Sequence, residues 1–369
     1  MIFHSTSSKP ILIVGNGVRS AKAHALLLEF AQKTDIPVLT SMNAVDLIQD
    51  DLKLGFIGTH GNRIANMIVE ECDLVVAVGV RLGLRQVGRN SQGFAPNARI
   101  VRADIDEYEL ARSVRDDEEK YLIDAKDFLS QLISEPIPKY TDWKNKCFEA
   151  KKILSIYDNE VGNRAIQKLS SLLPENPIVA VDVGQHQCWC AQSLHLRGRD
   201  GRILIAGGYG SMGCALPFSI GASIAKNHGT VFCITGDGGL QMNIQEFEAV
   251  AREKLPVKIL VINNKVLGKI SETQHLSHAD RFAQTTEASG YTVPDFAKIA
   301  CAYDIKATTL PSYEQLDSCA EWLNDDEPCL INIMLPEDTL LIPKVDWEAG
   351  AMRPQIGEST LEEVHEILA

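Results

Sequence analysis

The segment GDGGLQMNIQEFEAVAREKLPVKILVINN, residues 236–264, decides how this chain folds. It follows the apolar run VFCIT (231–235) and closes on a second, VKILVI (257–262), with a helical pattern between them. Two continuous apolar strands joined through a helix form a βαβ unit, whose parallel strands are covered on both faces. Asp237 lies just past the first strand and Asn264 just past the second, 27 residues apart, the span that strand, crossover helix and return strand require. In an open parallel sheet ligands bind beyond the carboxyl ends of the strands, so both side chains stand at a ligand's position. Gly238 and Gly239 let the backbone approach an anion. Asn243 with Glu246 has the form of a capping box, opening a helix whose amino end favours negative charge.

One carboxylate and one amide oxygen make a poor metal cage unless the ligand brings more negative charge. Magnesium commonly takes one or two protein oxygens together with phosphate oxygens of its substrate. The constellation reads as a divalent ion clamping a diphosphate; the competing reading is two polar loop residues with no ligand.

The same rhythm runs outward in both directions. Apolar runs at 11–15, 36–41, 73–80 and 98–105 alternate with helical patterns, one of them carrying apolar residues at Ala21, Ala25 and Leu28 and another spanning Ile64–Glu71. After SEPIPKYTDWKNKCFEAKK, rich in charge and proline, further strands are expected at 177–184, 202–208, 230–239, 256–264 and 328–335. The intervening helices are expected at Met212–Lys226, Asn243–Glu253, Asp295–Tyr303 and Ser312–Leu323. The fold class is therefore α/β: two doubly wound, mostly parallel domains in tandem. Residues 1–135 form the first, 136–160 a linker with a short helix, 161–336 the second, and 337–369 a tail.

With 369 residues there is room for about two domains. The net charge of −13 argues against nucleic-acid binding by a basic face. No apolar run reaches the roughly 18 residues of a membrane span, and MIFHSTSSKP lacks a signal-peptide core, so a cytoplasmic protein is expected. Nine cysteines without a C-x-x-C pair read as reduced thiols packed as small hydrophobes.

VGNGVRSA near the start imitates a dinucleotide fingerprint. Gly15 and Gly17 provide a tight turn, but Ser20 replaces the third glycine, and no acidic residue follows Thr40-Ser41 to hold a ribose. A glycine turn without a ligand is at least as good a reading.

The Gly236-Asp237-Gly238 … Asn263-Asn264 pattern resembles the cofactor signature of thiamine diphosphate enzymes. DVGQHQCWCAQ (182–192) and GGYGSMGCALPFSIGA (207–222) resemble the diphosphate and pyrimidine stretches of acetolactate synthases. GTHGNRIANMIVEECDLVVAVGVRL (58–82) and RADIDEYEL (102–110) resemble their middle domain, so the likeness covers residues 9–335. The resemblance implies thiamine diphosphate and Mg²⁺ as cofactors. Asp237, Asn264 and the Val266 carbonyl would hold the metal. Gly184, Gln185, His186, Gly238 and Gly239 would lie along the diphosphate. The Gly210 carbonyl would accept from the aminopyrimidine, and Met212 would sit beneath the cofactor and bend it.

There are departures from the family. Acetolactate synthases carry a Gln-Trp pair soon after the metal loop; here LGKISETQHLSHADRF (267–282) has Gln274-His275 and no tryptophan. His275 and His278 are read as part of a solvated loop. The family's middle domain can hold FAD, for which Arg81 and Arg85 are candidates, although arginines on a charged loop are the safer reading. The family's first domain supplies the glutamate that activates the cofactor, and this chain enters its middle-domain strand at Ile11, so that glutamate is expected to be absent and no catalytic residue is assigned. The expectation is the cofactor half of a decarboxylase or carboligase acting on a small 2-oxo acid. It would be a homo-oligomer, completed by a partner chain carrying the pyrimidine-binding domain. The rival readings are a non-catalytic remnant or regulatory protein that keeps the cofactor site, and a nucleotide-dependent oxidoreductase, which the incomplete fingerprint disfavours.

Overall fold

The computed structural model describes residues 2–3, 7–48, 52–346, 351–353 and 356–369. Two compact units divide the chain: Met1–Asp158 with Ile342–Ala369, and Asn159–Leu341.

The first unit holds a six-stranded sheet of β1 (Pro10–Val14), β2 (Val38–Thr40), β3 (Lys53–Phe56), β4 (Leu74–Val78), β5 (Arg99–Asp104) and β6 (Glu119–Leu122). Their order is β3-β2-β1-β4-β5-β6 and every pairing is parallel. β1 and β4 are buried at every position, as expected of central strands covered by helices on both sides. The helix His24–Thr34 presents Leu27, Phe30, Ala31 and Thr34 to the core, with Ala25 exposed. The apolar face expected through Ala25 and Leu28 is thus turned by about one position, because Phe30 offers the larger area to bury.

Two segments differ from the expected boundaries. Within the linker, Thr141–Leu154 is a 14-residue helix burying Trp143, Cys147, Ala150 and Leu154 in the first unit, and the Trp143 indole donates to the Pro10 carbonyl at 3.1 Å. Its many lysines and acids occupy the opposite face, which gave the segment its linker-like composition. The expected tail also belongs to this unit. A hairpin of β13 (Lys344–Asp346) and β14 (Ala351–Arg353) precedes the helix Glu358–Leu368, whose Val364 and Leu368 join the same core. The His365 ring meets Glu71 at 3.0 Å.

The second unit repeats the plan with β7 (Ile178–Val181), β8 (Arg202–Ile205), β9 (Val231–Gly236), β10 (Val257–Asn263), β11 (Lys306–Leu310) and β12 (Cys329–Met334). The order is β11-β12-β10-β9-β7-β8, again all parallel. All seven residues of β10 are buried, including Lys258, whose ammonium bonds Asp325 at 2.6 Å and the Glu327 carbonyl at 2.5 Å. Chain direction across the sheet reverses between β7 and β9, where a crevice opens beyond the strand ends. Among the described residues no helix is long and apolar enough to cross a membrane.

Candidate functional site

Beyond β7 the chain delivers Asp182, 1 % exposed. Its Oδ1 accepts from the backbone N–H groups of Val183 (2.7 Å) and Gly213 (2.8 Å), and its Oδ2 from that of Ala215 (3.1 Å). One carboxylate thus ties the loop 207–213 to the end of β7, and it sits at the start of the helix Ala215–Ala225. Gly210 and Gly213 in that loop have φ of +66° and +87°, in the left-handed region that favours glycine.

Gly184 then opens the helix Gln185–Ser193, every residue of which is buried. A Cβ on Gly184 would lie 2.4 Å from Cε1 of His186, so a glycine is needed for the imidazole to fold back over the helix start. His186 is 4 % exposed and its Nε2 has no hydrogen-bond partner. Burial holds its pKa down to about 4, helped by the nearby Lys269 charge and opposed by Asp182, so the ring is neutral.

β9 and β10 are neighbours, with Gly236 opposite Ile262, which brings Asp237 and Asn264 side by side beyond the sheet. Asp237 is 2 % exposed; Oδ1 accepts from the Tyr291 hydroxyl at 2.7 Å and Oδ2 from the Lys265 N–H at 2.9 Å. Burial pushes its pKa up, and those hydrogen bonds oppose the shift. Asn264 donates to Gln185 Oε1 at 3.0 Å, and Gln185 Nε2 donates to the Thr339 carbonyl at 3.1 Å. This network engages the Asn264 amide through its nitrogen, and the amide oxygen is a hard donor suited to a hard cation.

Gly184, Gln185, His186, Gly210, Met212, Asp237, Gly238, Gly239, Asn264 and Val266 all line one pocket of about 220 Å³. A Cβ at Gly238 would fall 2.6 Å from Leu267 Cδ2 and 2.8 Å from Met212 Cε, so these two apolar side chains converge over the glycine. Trp189, Leu267 and Ile270 add further apolar lining, and Lys269 is the one lysine or arginine among the lining residues. No three His, Cys, Asp or Glu side chains among the described residues converge as a metal cage. The pocket itself offers a single carboxylate.

Sequence reasoning passed over Asp182, Tyr291 and Lys269. Asp182 was legible as an acid at a strand end within a glycine-bearing stretch. Tyr291 had no local signal, being 54 residues from the carboxylate it bonds.

Three local readings are corrected. Asn243 stands at the N-cap position of the helical turn Ile244–Glu246, which runs on into the helix Phe247–Arg252, but its side chain makes no capping bond: Nδ2 donates instead to the Gly213 carbonyl at 2.7 Å. The region of His275 and His278 is not a loop but the helix Gly268–His278, which buries none of its residues, and His275 pairs with Asp280 at 2.5 Å. The helix expected from Met212 starts at Ala215, because Gly213 is left-handed.

In the first unit Arg81 is exposed and pairs with Glu109, and Arg85 is exposed. The Gly15-Asn16-Gly17 turn is packed against Gly79. A Cβ on Gly15 would lie 2.1 Å from the Gly79 carbonyl oxygen, and one on Gly17 would lie 2.6 Å from the Gly79 Cα. These glycines serve backbone contact at that place.

Comparison with known proteins bears on both units. Residues 5–132 match the family model "Thiamine pyrophosphate enzyme, central domain", and residues 182–333 match "Thiamine pyrophosphate enzyme, C-terminal TPP binding domain". The acetolactate synthase isozyme 2 large subunit of Escherichia coli (strain K12) is 34% identical over 340 residues, 90% of this chain and 60% of that protein. The probable acetolactate synthase large subunit of Methanocaldococcus jannaschii is 33% identical over 347 residues, covering 89% of this chain and 58% of its own length. The acetolactate synthase large subunit of Pyropia yezoensis is 31% identical over 353 residues, 92% and 59%. The chain thus spans about 60% of the length of the relatives it matches. With two domain models of one family matched in order, one to each unit, this chain belongs to the thiamine pyrophosphate enzymes and is acetolactate synthase-like.

Proposed function

We propose that this chain is the thiamine diphosphate- and Mg²⁺-binding component of a decarboxylase or carboligase acting on a small 2-oxo acid. The observation that carries the reading is the pairing of Asp237 with Asn264 at adjacent strand ends, in a pocket where a buried imidazole nitrogen has no partner. A buried polar atom without a partner is costly unless a ligand satisfies it. A diphosphate would supply both the acceptor for neighbouring donors and the negative charge that a one-carboxylate metal site lacks.

In this reading Asp237, the Asn264 amide oxygen and the Val266 carbonyl hold the metal. Gly184, Gln185 and His186 lie along the diphosphate, with Gly238 and Gly239 admitting it close to the backbone. The Gly210 carbonyl would accept from the aminopyrimidine, and Met212, which leans over Gly238, would sit beneath the cofactor. Tyr291 orients the Asp237 carboxylate, and Asp182 fixes the loop that carries Gly210 and Met212. When bound, thiamine diphosphate would supply the carbon nucleophile and electron sink that decarboxylation of a 2-oxo acid requires. The neutral His186 does not compete with the metal for charge, and the apolar lining by Met212, Trp189 and Leu267 keeps bulk water away from the reacting end.

No glutamate stands among the described residues that line the pocket, and in this reading the carboxylic acid that protonates the pyrimidine comes from a pyrimidine-binding domain. We assign it to a partner chain carrying a pyrimidine-binding domain. A homo-oligomer is also proposed, because Tyr209, Phe218, Met242 and Ile270 of the second unit are large apolar side chains left exposed. Nine free cysteines, seven of them buried, suit the reducing cytoplasm.

Calorimetric titration of thiamine diphosphate in Mg²⁺ and in EDTA tests the assignment. Binding should require the metal, and Asp237→Ala should abolish the metal-dependent part. Equal affinity with and without either would refute it.

A further inference from the structure

Lys269 is half-buried at the pocket wall, and its ammonium rests on the Cys188 sulfur at 3.3 Å. A more deeply buried ammonium in the same unit is treated differently: Lys258 is met by the Asp325 carboxylate. A thiol is a weak acceptor and compensates a desolvated ammonium poorly. No lysine or arginine besides Lys269 lines the pocket, and the one imidazole there is neutral.

The location of this charge is specific. The preceding residue, Gly268, packs so tightly on Gln185 that a Cβ there would lie 1.9 Å from Gln185 Oε1. Cys188 stands one turn along the helix that begins at Gln185. Lys269 therefore shares its wall with Gln185 and Asn264, the amide pair at the metal end. Met212 leans instead over Gly238.

We propose that Lys269 is an anion-binding residue that leaves Cys188 to contact the diphosphate of the cofactor, offsetting negative charge that Mg²⁺ alone does not neutralise. This rests on the cofactor reading above and goes beyond it, since none of the residues assigned there is a cation. A flexible ammonium is well suited to the role, because it acts as a point charge toward phosphate oxygens and can swing from a weak partner to a strong one. Cys188 is then a resting place that keeps the ammonium aimed inward until an anion arrives.

The test compares wild type, Lys269→Met and Lys269→Arg by calorimetry in saturating Mg²⁺, titrating thiamine diphosphate, thiamine monophosphate and inorganic diphosphate. Thermal melting without ligand confirms that each variant is folded. Lys269→Met should bind thiamine diphosphate and inorganic diphosphate roughly 10- to 100-fold more weakly, the loss expected for one hydrogen bond to a charged group. Its preference for the diphosphate over the monophosphate should shrink. Lys269→Arg should recover most of the affinity. If wild type binds and Lys269→Met binds equally well, the inference is wrong while the cofactor assignment stands. If wild type itself fails to bind, the cofactor assignment falls first. Weakened handling of a 2-oxo acid with unchanged diphosphate affinity would also overturn the proposal, placing the ammonium on the substrate carboxylate instead.

Discussion

The two units share one plan, six parallel strands with a single reversal of order, yet their reversal points are built for opposite ends. Between β1 and β4 the crevice is closed by its own backbone, with Gly15 and Gly17 pressed on Gly79. Between β7 and β9 the crevice holds Gln185, His186 and Asp237 around a pocket, with Asp182 behind them fixing the 207–213 loop. Glycines occur at both places. In the first unit they remove side chains so that two turns can touch; in the second they clear room around an imidazole and a carboxylate. The topology supplies a place for a ligand, and the residues beyond the strands decide whether the place is filled from within.

Both units also bury carboxylates, and their treatment differs in the same sense. Asp182 and Asp237 each receive hydrogen bonds on both oxygens, whereas Glu70 of the first unit has a buried Oε1 with no partner. Burial, with the charge of Glu71 adding to it, pushes the Glu70 pKa up to about 7.

The sharpest way to break the comparison is Asp182→Ala. It strands the N–H groups of Val183, Gly213 and Ala215 and should cost about 3 kcal/mol in urea unfolding, while weakening thiamine diphosphate binding through the released 207–213 loop. Unaltered cofactor affinity would show that Asp182 does not position the site. Gly15→Ala comes next. Forcing a methyl group against the Gly79 carbonyl should destabilise the first unit by about 2 kcal/mol yet leave cofactor affinity within about twofold. A stable variant with impaired binding would mean that the first crevice takes part in ligand binding after all.

Glu70→Gln should have the smallest effect, and it should depend on pH. The unfolded chain releases the Glu70 proton near the ordinary value for glutamate, and the folded chain only near 7, so wild-type stability falls as pH rises across that window. The substitution should therefore raise the melting temperature at about pH 8 and leave it nearly unchanged at about pH 4. Equal shifts at both values would show that Glu70 is not held protonated by its surroundings.

The legibility of the sequence followed unbroken apolar runs rather than burial alone. Nine strands of the two sheets stand out as such runs, from central strands buried at every position to the edge strand β8, which is mostly half-buried. The three without such a run, β3, β6 and β11, are all sheet edges, where Lys53, Glu119, Lys120 and Lys306 break the pattern. Of the ten candidate residues, Asp237, Asn264, Gly238 and Gly239 stand out from the strand-end pattern and the other six follow from the family resemblance; one pocket is lined by all ten. What the sequence hid was contact at a distance. Tyr291 reaches Asp237 from a loop, Lys269 rests on a thiol 81 residues earlier, and Asn243 turned from capping a helix to bonding Gly213. Such partners carry no periodicity and no fixed spacing.

Hydrogen–deuterium exchange with thiamine diphosphate and Mg²⁺ compares the two crevices in one experiment. Protection is expected in peptides covering 182–193, 207–213, 236–241 and 264–270, with none in those covering 10–21 and 74–85. Protection confined to the first unit's turn, or absent from 236–241 and 264–270 at saturating ligand, would contradict the claim that only the second crevice is built to hold the cofactor.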